Sequence, residues 1–346
     1  MALMTPEQTI QRLMFGFIAS QTLFVSHRLK LFDNLDEHGP STCQEIAAST
    51  GLPSGSLERL LISAVCIGLL EKEGGCYRLN ESLAPYLTLK GEKYQGGMFS
   101  HYSNASYPLF SYLEDAVREN RPQWNKISAA REVTCIYQDF VYAESAATRE
   151  FLETMWASGY FDSLDLCEKF SFTGFTKLVD LGGATGSFCI AALQKNAGLT
   201  AVVMDLAPVE SYAVQAFIEN ECQQRADFRV GDIFNDVLPD GDIYAIGYVL
   251  SDWPEERCRG LIRKAYKALP PGGLIVILEK FFNKDKTGPF LTGMLNLTML
   301  LEMNGQHRSV DEYTEWLQSA GFSDMTAIYS TGEKHMLVGR KKYLGS

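Results

Sequence analysis

Asp180-Leu181 closes an apolar run, Gly182-Gly183-Ala184-Thr185-Gly186 follows, and a segment of helical spacing comes next. Glycines in such a turn let backbone approach a ligand closely, and the first turn of the following helix offers unpaired N–H groups suited to a carboxylate. The spacing is not the Gly-x-Gly-x-x-Gly of a dinucleotide site. A second run, Val202-Val203-Met204-Asp205-Leu206, ends in an acid placed to accept both hydroxyls of a ribose. A third ends in Gly231-Asp232-Ile233-Phe234, where Asp232 can receive an adenine amino hydrogen and Phe234 lies near the ring. Together the three predict a nucleoside cofactor held at strand ends, and disfavour a nicotinamide one.

Such residues need a sheet beneath them. Lys177 to Leu181, Thr200 to Met204, Asp227 to Val230, Asp242 to Gly247 and Gly273 to Glu279 are short apolar runs separated by helix-length stretches, the pattern of a parallel α/β sheet. Met325 to Thr331 and His335 to Arg340, joined by Gly332-Glu333-Lys334, add a terminal hairpin and therefore one antiparallel strand. Between His101 and Tyr160 the sequence reads as helical and aromatic, bridging the two halves.

Upstream, residues 6 to 34 carry apolar side chains at helical spacing on two successive segments. Ser41 or Thr42, with Gln44 or Glu45 at the capping-box position, starts a short helix; Gly51-Leu52-Pro53 turns into a second, Ser54 to Leu70; a hairpin to Leu79 follows around Gly74-Gly75. This is the order of a winged helix, but the recognition-helix position offers only Arg59, with Glu58 beside it. Dimerisation or a lid fits it better than DNA reading.

The 346 residues predict two domains, 1–103 and 104–346. Hydrophobic residues at 46%, charged residues at 21% and only 12 prolines describe an ordinary globular protein. A net charge of −11 repels polyanions, and the densest basic cluster, Lys280 to Lys286, is interrupted by Phe281-Phe282 and Asp285 and reads as a solvated loop. Nucleic acid is not an expected partner. Eight cysteines (Cys43, Cys66, Cys76, Cys135, Cys167, Cys189, Cys222, Cys258) include no Cys-x-x-Cys pair, so reduced thiols are expected and no metal site. No run reaches the ~18 apolar residues of a membrane span, and the cytoplasm is the expected compartment.

With His101-Tyr102-Ser103-Asn104-Ala105, Asp252-Trp253, Pro271-Gly272-Gly273, Gly288-Pro289 and Ser319-Ala320-Gly321-Phe322 added to the three motifs, nearly the whole chain resembles the acetylserotonin O-methyltransferase (hydroxyindole O-methyltransferase) family. The resemblance implies a class I methyltransferase sheet, S-adenosylmethionine as methyl donor with S-adenosylhomocysteine as product, and a domain-swapped homodimer formed through the N-terminal helices. It implies cofactor contacts from Tyr142, Asp205, Asp232 and Phe234. Asp180, Gly182, Gly183, Gly186, Leu206, Gly231, Ile233 and Tyr248 complete the expected cofactor set. The implied acceptor is a small hydroxylated aromatic, with Trp253, Thr298, Met294 and Tyr160 as expected pocket residues.

The family's His-Asp-Trp reads Ser251-Asp252-Trp253 here, and a serine hydroxyl is no base at neutral pH. The family's glutamate position in Gly305-Gln306-His307-Arg308-Ser309 is His307. An imidazole moved to His307, with Glu279 or Asp252 orienting it, or a neighbouring carboxylate in its place, is the expected replacement base. A cofactor-binding relative that has lost methyl transfer is the alternative. Thr298 stands where the acetylserotonin enzymes have an asparagine, and Tyr248 where they have an arginine, so N-acetylserotonin itself is not the expected acceptor.

Overall fold

The computed structural model describes residues 4–127, 137, 141–142 and 145–343; Cys135 and part of the expected helical stretch from His101 to Tyr160 lie outside them. Two compact units, 1–107 and 108–346, divide the chain.

In the first unit, α1 (Pro6–Met14), α2 (Gly16–Arg28) and α3 (Leu31–His38) occupy the apolar stretch expected as two helices. The extra break follows Lys30, which adopts a left-handed φ of 55°. β1 (Ser41–Thr42), α4 (Cys43–Thr50), α5 (Ser54–Cys66), β2 (Leu70–Glu73) and β3 (Cys76–Leu79) follow, so α5 ends four residues earlier than expected. The three strands form one sheet in the order β1-β3-β2, the β2–β3 hairpin being the one expected around Gly74-Gly75. Thr42 caps α4 in a full capping box with Glu45. Leu31, Phe32, Leu35, Ile46, Leu57, Leu61 and Tyr77 make its core, and α6 (Ala84–Leu87) and α7 (Gly96–His101) complete it. α1 has no buried residue, and Ile10, Leu13, Met14, Phe15, Phe17 and Ile18 are exposed.

The division falls in α8 (Tyr107–Leu109); α9 (Leu113–Glu119) and the long α10 (Ser145–Lys169) lead into the second sheet. That sheet comprises β4 (Lys177–Leu181), β5 (Thr200–Asp205), β6 (Ala226–Val230), β7 (Ile243–Gly247), β8 (Leu274–Glu279), β9 (Phe322–Ile328) and β10 (His335–Lys341). Their order is β6-β5-β4-β7-β8-β10-β9, and β10 alone runs against its neighbours β8 and β9. α11 (Ser187–Lys195), α12 (Glu210–Glu219), α13 (Glu255–Ala268), α14 (Phe290–Glu302) and α15 (Val310–Ala320) connect the strands.

The pleat divides the core into two layers. On β8, Leu274, Val276 and Leu278 join one cluster with Phe188, Val203 and Phe217; Ile275 and Ile277 join the other with Leu261, Tyr313 and Trp316. Continuous burial along β8 is what a parallel strand covered on both faces requires. The same parity sends Glu279 toward the second layer and Lys280 toward the first. The chain reverses from β4 to β5 and from β4 to β7 on opposite sides, opening a crevice beyond their carboxyl ends.

Candidate active site

At that crevice lies a cavity of 320 Å³. Its floor is the turn after β4. Gly182 has φ 74°, and an added Cβ on Gly183 would come within 2.6 Å of the Asp180 carboxyl carbon, so a side chain there would displace the acid. Asp180 is buried, its carboxyl pushed up to about 7 by burial against the opposing pull of Lys334. Asp205, at the end of β5, is held by two backbone donors: Ala184 N–H to Oδ2 at 2.9 Å and Leu206 N–H to Oδ1 at 2.7 Å. Burial raises it to about 6 while those two bonds lower it. Each oxygen keeps a further lone pair for a hydroxyl.

The turn after β6 closes on itself, Asp232 accepting from the Phe234 N–H (2.8 Å) and the Asn235 amide (2.7 Å). Phe234 meets Trp253 edge to face at 5.3 Å, and the Arg257 guanidinium lies 3.9 and 3.8 Å from the two ring centres. This end of the cavity is thus walled by two aromatic rings set edge to face with a guanidinium over both.

Of the residues expected at a cofactor site, Tyr142, Asp180, Gly182, Gly183, Asp205 and Leu206 line this cavity. Gly231, Asp232, Ile233, Phe234 and Tyr248 do so as well, and Trp253, expected at the acceptor, lines the same cavity beside Phe234 and Tyr137. Gly186 is not on the wall; it packs against Phe217 and Val203 as the N-cap of α11. Tyr160 is placed elsewhere: it stacks on Trp156 at 4.3 Å, packs against the first core layer and bonds Gln194 at 3.2 Å. Thr298 is buried on α14 with its hydroxyl turned to the Met294 carbonyl, Met294 is exposed, and neither lines the cavity.

Nor does His307. It is buried, its Nδ1 has no partner among the described residues, and burial first, then the Lys280 charge, bring it down to about 4. The imidazole is therefore neutral at pH 7, but it does not reach the cavity wall. Ser251 and Glu279 are also behind that wall, the Ser251 N–H donating to Glu279 Oε1 at 3.2 Å. Asp252 touches the cavity through an intermediary: Tyr137, which lines it, donates its hydroxyl to Asp252 Oδ2 at 2.5 Å. Burial, with Glu279 and Glu302 nearby, holds the Asp252 carboxyl well above the carboxylate range despite the Tyr137 bond.

Tyr137, Phe151, Met155, Arg257 and Lys334 are cavity residues that the sequence reading missed. Only Arg257, four residues beyond Trp253, carried a local signal. Among the described residues no cluster of His, Cys, Asp and Glu is arranged to hold a metal, and no helix is long and apolar enough to cross a membrane.

Glu279 makes a stability prediction. Its Oε2 has no partner among the described residues and burial raises it from 4.5 to about 7, so the folded state binds its proton more tightly than the unfolded chain does. That group costs stability as pH rises from about 4.5 to about 7. Glu279→Gln is expected to gain roughly 1–3 kcal/mol relative to the parent between pH 5 and pH 8. Denaturant melts at the two pH values check it; a pH-independent difference contradicts it.

The O-methyltransferase domain family matches residues 110–323 and the O-methyltransferase dimerisation domain family matches residues 11–88. Acetylserotonin O-methyltransferase of Gallus gallus is 32% identical over 337 residues, covering 94% of this chain and 95% of that one. The Homo sapiens enzyme of the same name is 33% identical over 317 residues, covering 89% and 90%. The solved human N-acetylserotonin methyltransferase in complex with S-adenosylmethionine superposes with a TM-score of 0.91 at 29% identity, covering 99% of both chains. PigF with S-adenosylhomocysteine superposes at 0.87 with 26% identity, covering 98% of this chain and 100% of that one.

Proposed function

Because the chain belongs to the O-methyltransferase family and is an S-adenosylmethionine-dependent enzyme of it, we propose that it methylates the hydroxyl of a small aromatic and that Asp252, not a histidine, takes the hydroxyl proton. The observation that carries this reading is the Tyr137–Asp252 bond, the link from the cavity wall to a buried carboxylate with a raised pKa. Asp205 would hold the ribose hydroxyls, Asp232 the adenine amine, and Phe234, Trp253 and Arg257 the ring. S-adenosylmethionine supplies a methyl group on a sulfonium centre. Tyr137, Tyr142, Phe151 and Trp253 surround the place where an aromatic acceptor would meet it and keep water out.

Tyr137 orients the acceptor hydroxyl and hands its proton to Asp252, whose carboxylate is basic enough because it is desolvated. The hydroxyl oxygen forms the new bond to carbon as the carbon–sulfur bond breaks. The products are a methyl ether, S-adenosylhomocysteine and a protonated Asp252. The test is mass spectrometry of products from a panel of phenols, hydroxyindoles, carboxylic acids and arylamines. Methyl ethers from the first two classes are expected; transfer only to acids or amines overturns the acceptor assignment. Loss of methyl transfer altogether with retained cofactor binding is the second reading, favoured by Ser251 at the histidine position.

The exposed apolar face of α1 and α2 supports a homodimer. Light scattering is expected to give twice the 38.6 kDa chain mass, and Leu13→Lys with Phe17→Lys to shift it toward one. A monodisperse monomer of the parent protein contradicts the assembly.

A further inference from the structure

Lys280 and Lys334 are 7% and 3% exposed, although both look solvated in the sequence. Neither makes an ion pair with an acidic side chain among the described residues. Lys280 donates to the Tyr248 hydroxyl at 2.6 Å, and that hydroxyl donates to the Ser158 carbonyl at 3.1 Å. Lys334 donates to Ser163 Oγ at 3.2 Å. Both ammonium groups lie near the Tyr248 ring centre, Lys280 at 4.1 Å and Lys334 at 5.0 Å. Burial lowers both lysines, and each charge repels the other. Burial is likewise the first cause at Lys334, with Asp180 opposing it.

The placement of Lys334 is built. Asp162 Oδ2 accepts the N–H groups of Glu333 (3.0 Å) and Lys334 (2.8 Å), fixing the turn before β10. On α10 an added Cβ at Gly159 would come within 2.9 Å of Lys334 Nζ, so a side chain there would shift the ammonium. The side chain reaches the same cavity that Asp180, Gly182 and Gly183 line.

Strand order gives the ligand its direction. Taken across the carboxyl edge from β6, the chemistry-bearing residues run Asp232, Asp205, Asp180, Tyr248, Lys280, Lys334. Neighbouring strands lie about 4.8 Å apart. A nucleoside on Asp232 and Asp205 therefore points whatever its ribose carries toward Asp180 and then the lysines. An amino-acid group arriving there meets an acid and an ammonium in one cavity, the complement of its own ammonium and carboxylate.

We propose that Lys334 receives the carboxylate of the amino-acid end of S-adenosylmethionine, opposite Asp180, with Tyr248 and Lys280 bracing it. This rests on the cofactor placement above. The incoming carboxylate supplies the counter-charge that the buried ammonium lacks.

Calorimetry with four ligands tests it: S-adenosylhomocysteine, which has the carboxylate, 5′-methylthioadenosine, which lacks the amino-acid end, and decarboxylated S-adenosylmethionine compared with S-adenosylmethionine. Lys334→Met and Lys334→Gln are expected to weaken S-adenosylhomocysteine about tenfold while leaving 5′-methylthioadenosine within about twofold. Equal weakening of both ligands, or of neither, overturns the proposal, as does a raised acceptor KM with unchanged cofactor affinity, which would give Lys334 to the acceptor. The parent protein itself is expected to bind the decarboxylated ligand about tenfold less tightly than S-adenosylmethionine; equal affinity overturns the proposal without any variant. If the parent binds neither S-adenosylhomocysteine nor 5′-methylthioadenosine, the cofactor placement fails first, and a retained 5′-methylthioadenosine signal separates the two failures.

Discussion

Replacing Asp252 by Asn is expected to lower kcat by about 10²–10⁴-fold, the contribution of a positioned general base, and to leave S-adenosylhomocysteine affinity unchanged. Asparagine keeps an oxygen for the Tyr137 hydroxyl but cannot accept a proton. In the parent enzyme the carboxyl stays above the ordinary carboxylate range because it is desolvated and flanked by Glu279 and Glu302. The active form is the ionised one, so kcat rises with pH through that raised value, and Asp252→Asn flattens the rising limb. His307→Gln is expected to keep kcat within a few-fold. The imidazole titrates at about 4 and is not a wall of the cavity. A 10²-fold loss at His307 with Asp252→Asn near normal would return the base to the imidazole.

The second large effect concerns Asp205. Asp205→Ala is expected to weaken S-adenosylhomocysteine about 10–100-fold through loss of a charge-assisted hydrogen-bond pair. Part of that loss is indirect, because the carboxylate also ties down the N–H groups of Ala184 and Leu206. Asp205→Asn keeps one acceptor for those donors, so it is expected to fall between parent and Ala. Calorimetry with both variants measures this; equal affinity for all three proteins contradicts the ribose assignment.

The elements that position this chemistry were legible because their signals are local. Apolar runs of strand length, the Gly182–Gly186 turn and the Thr42–Glu45 capping box each depend on residues a few positions apart. The acids at the ends of β4, β5 and β6 followed from the same spacing. Side chains whose role depends on distant packing were not legible. Lys280 and Lys334 look like loop lysines, and only the junction of β8, β10 and α10 around Tyr248 buries them. Tyr137 is one aromatic among many until its hydroxyl meets Asp252, 115 positions away. Tyr160, expected at the acceptor pocket, instead stacks on Trp156 against the core. His307 rests on its residue type and its place at the family's glutamate position; the depth that keeps it from the cavity is a property of the loop, anchored by the His307 N–H to Asn296 at 2.9 Å and by Arg308 to the Leu250 carbonyl at 3.3 Å.

Whether a chain with serine at the histidine position still transfers methyl groups is decided by a single turnover. Enzyme preloaded with S-adenosylmethionine labelled in its methyl group is mixed with a hydroxyindole or phenol at pH 8, and label in the ether product is followed against time. Stoichiometric labelled methyl ether is expected from the parent and from His307→Gln, with little from Asp252→Asn over the same interval. Full occupancy by the labelled cofactor with no ether from any acceptor in the panel would contradict it and leave a protein that binds the cofactor without transferring its methyl group.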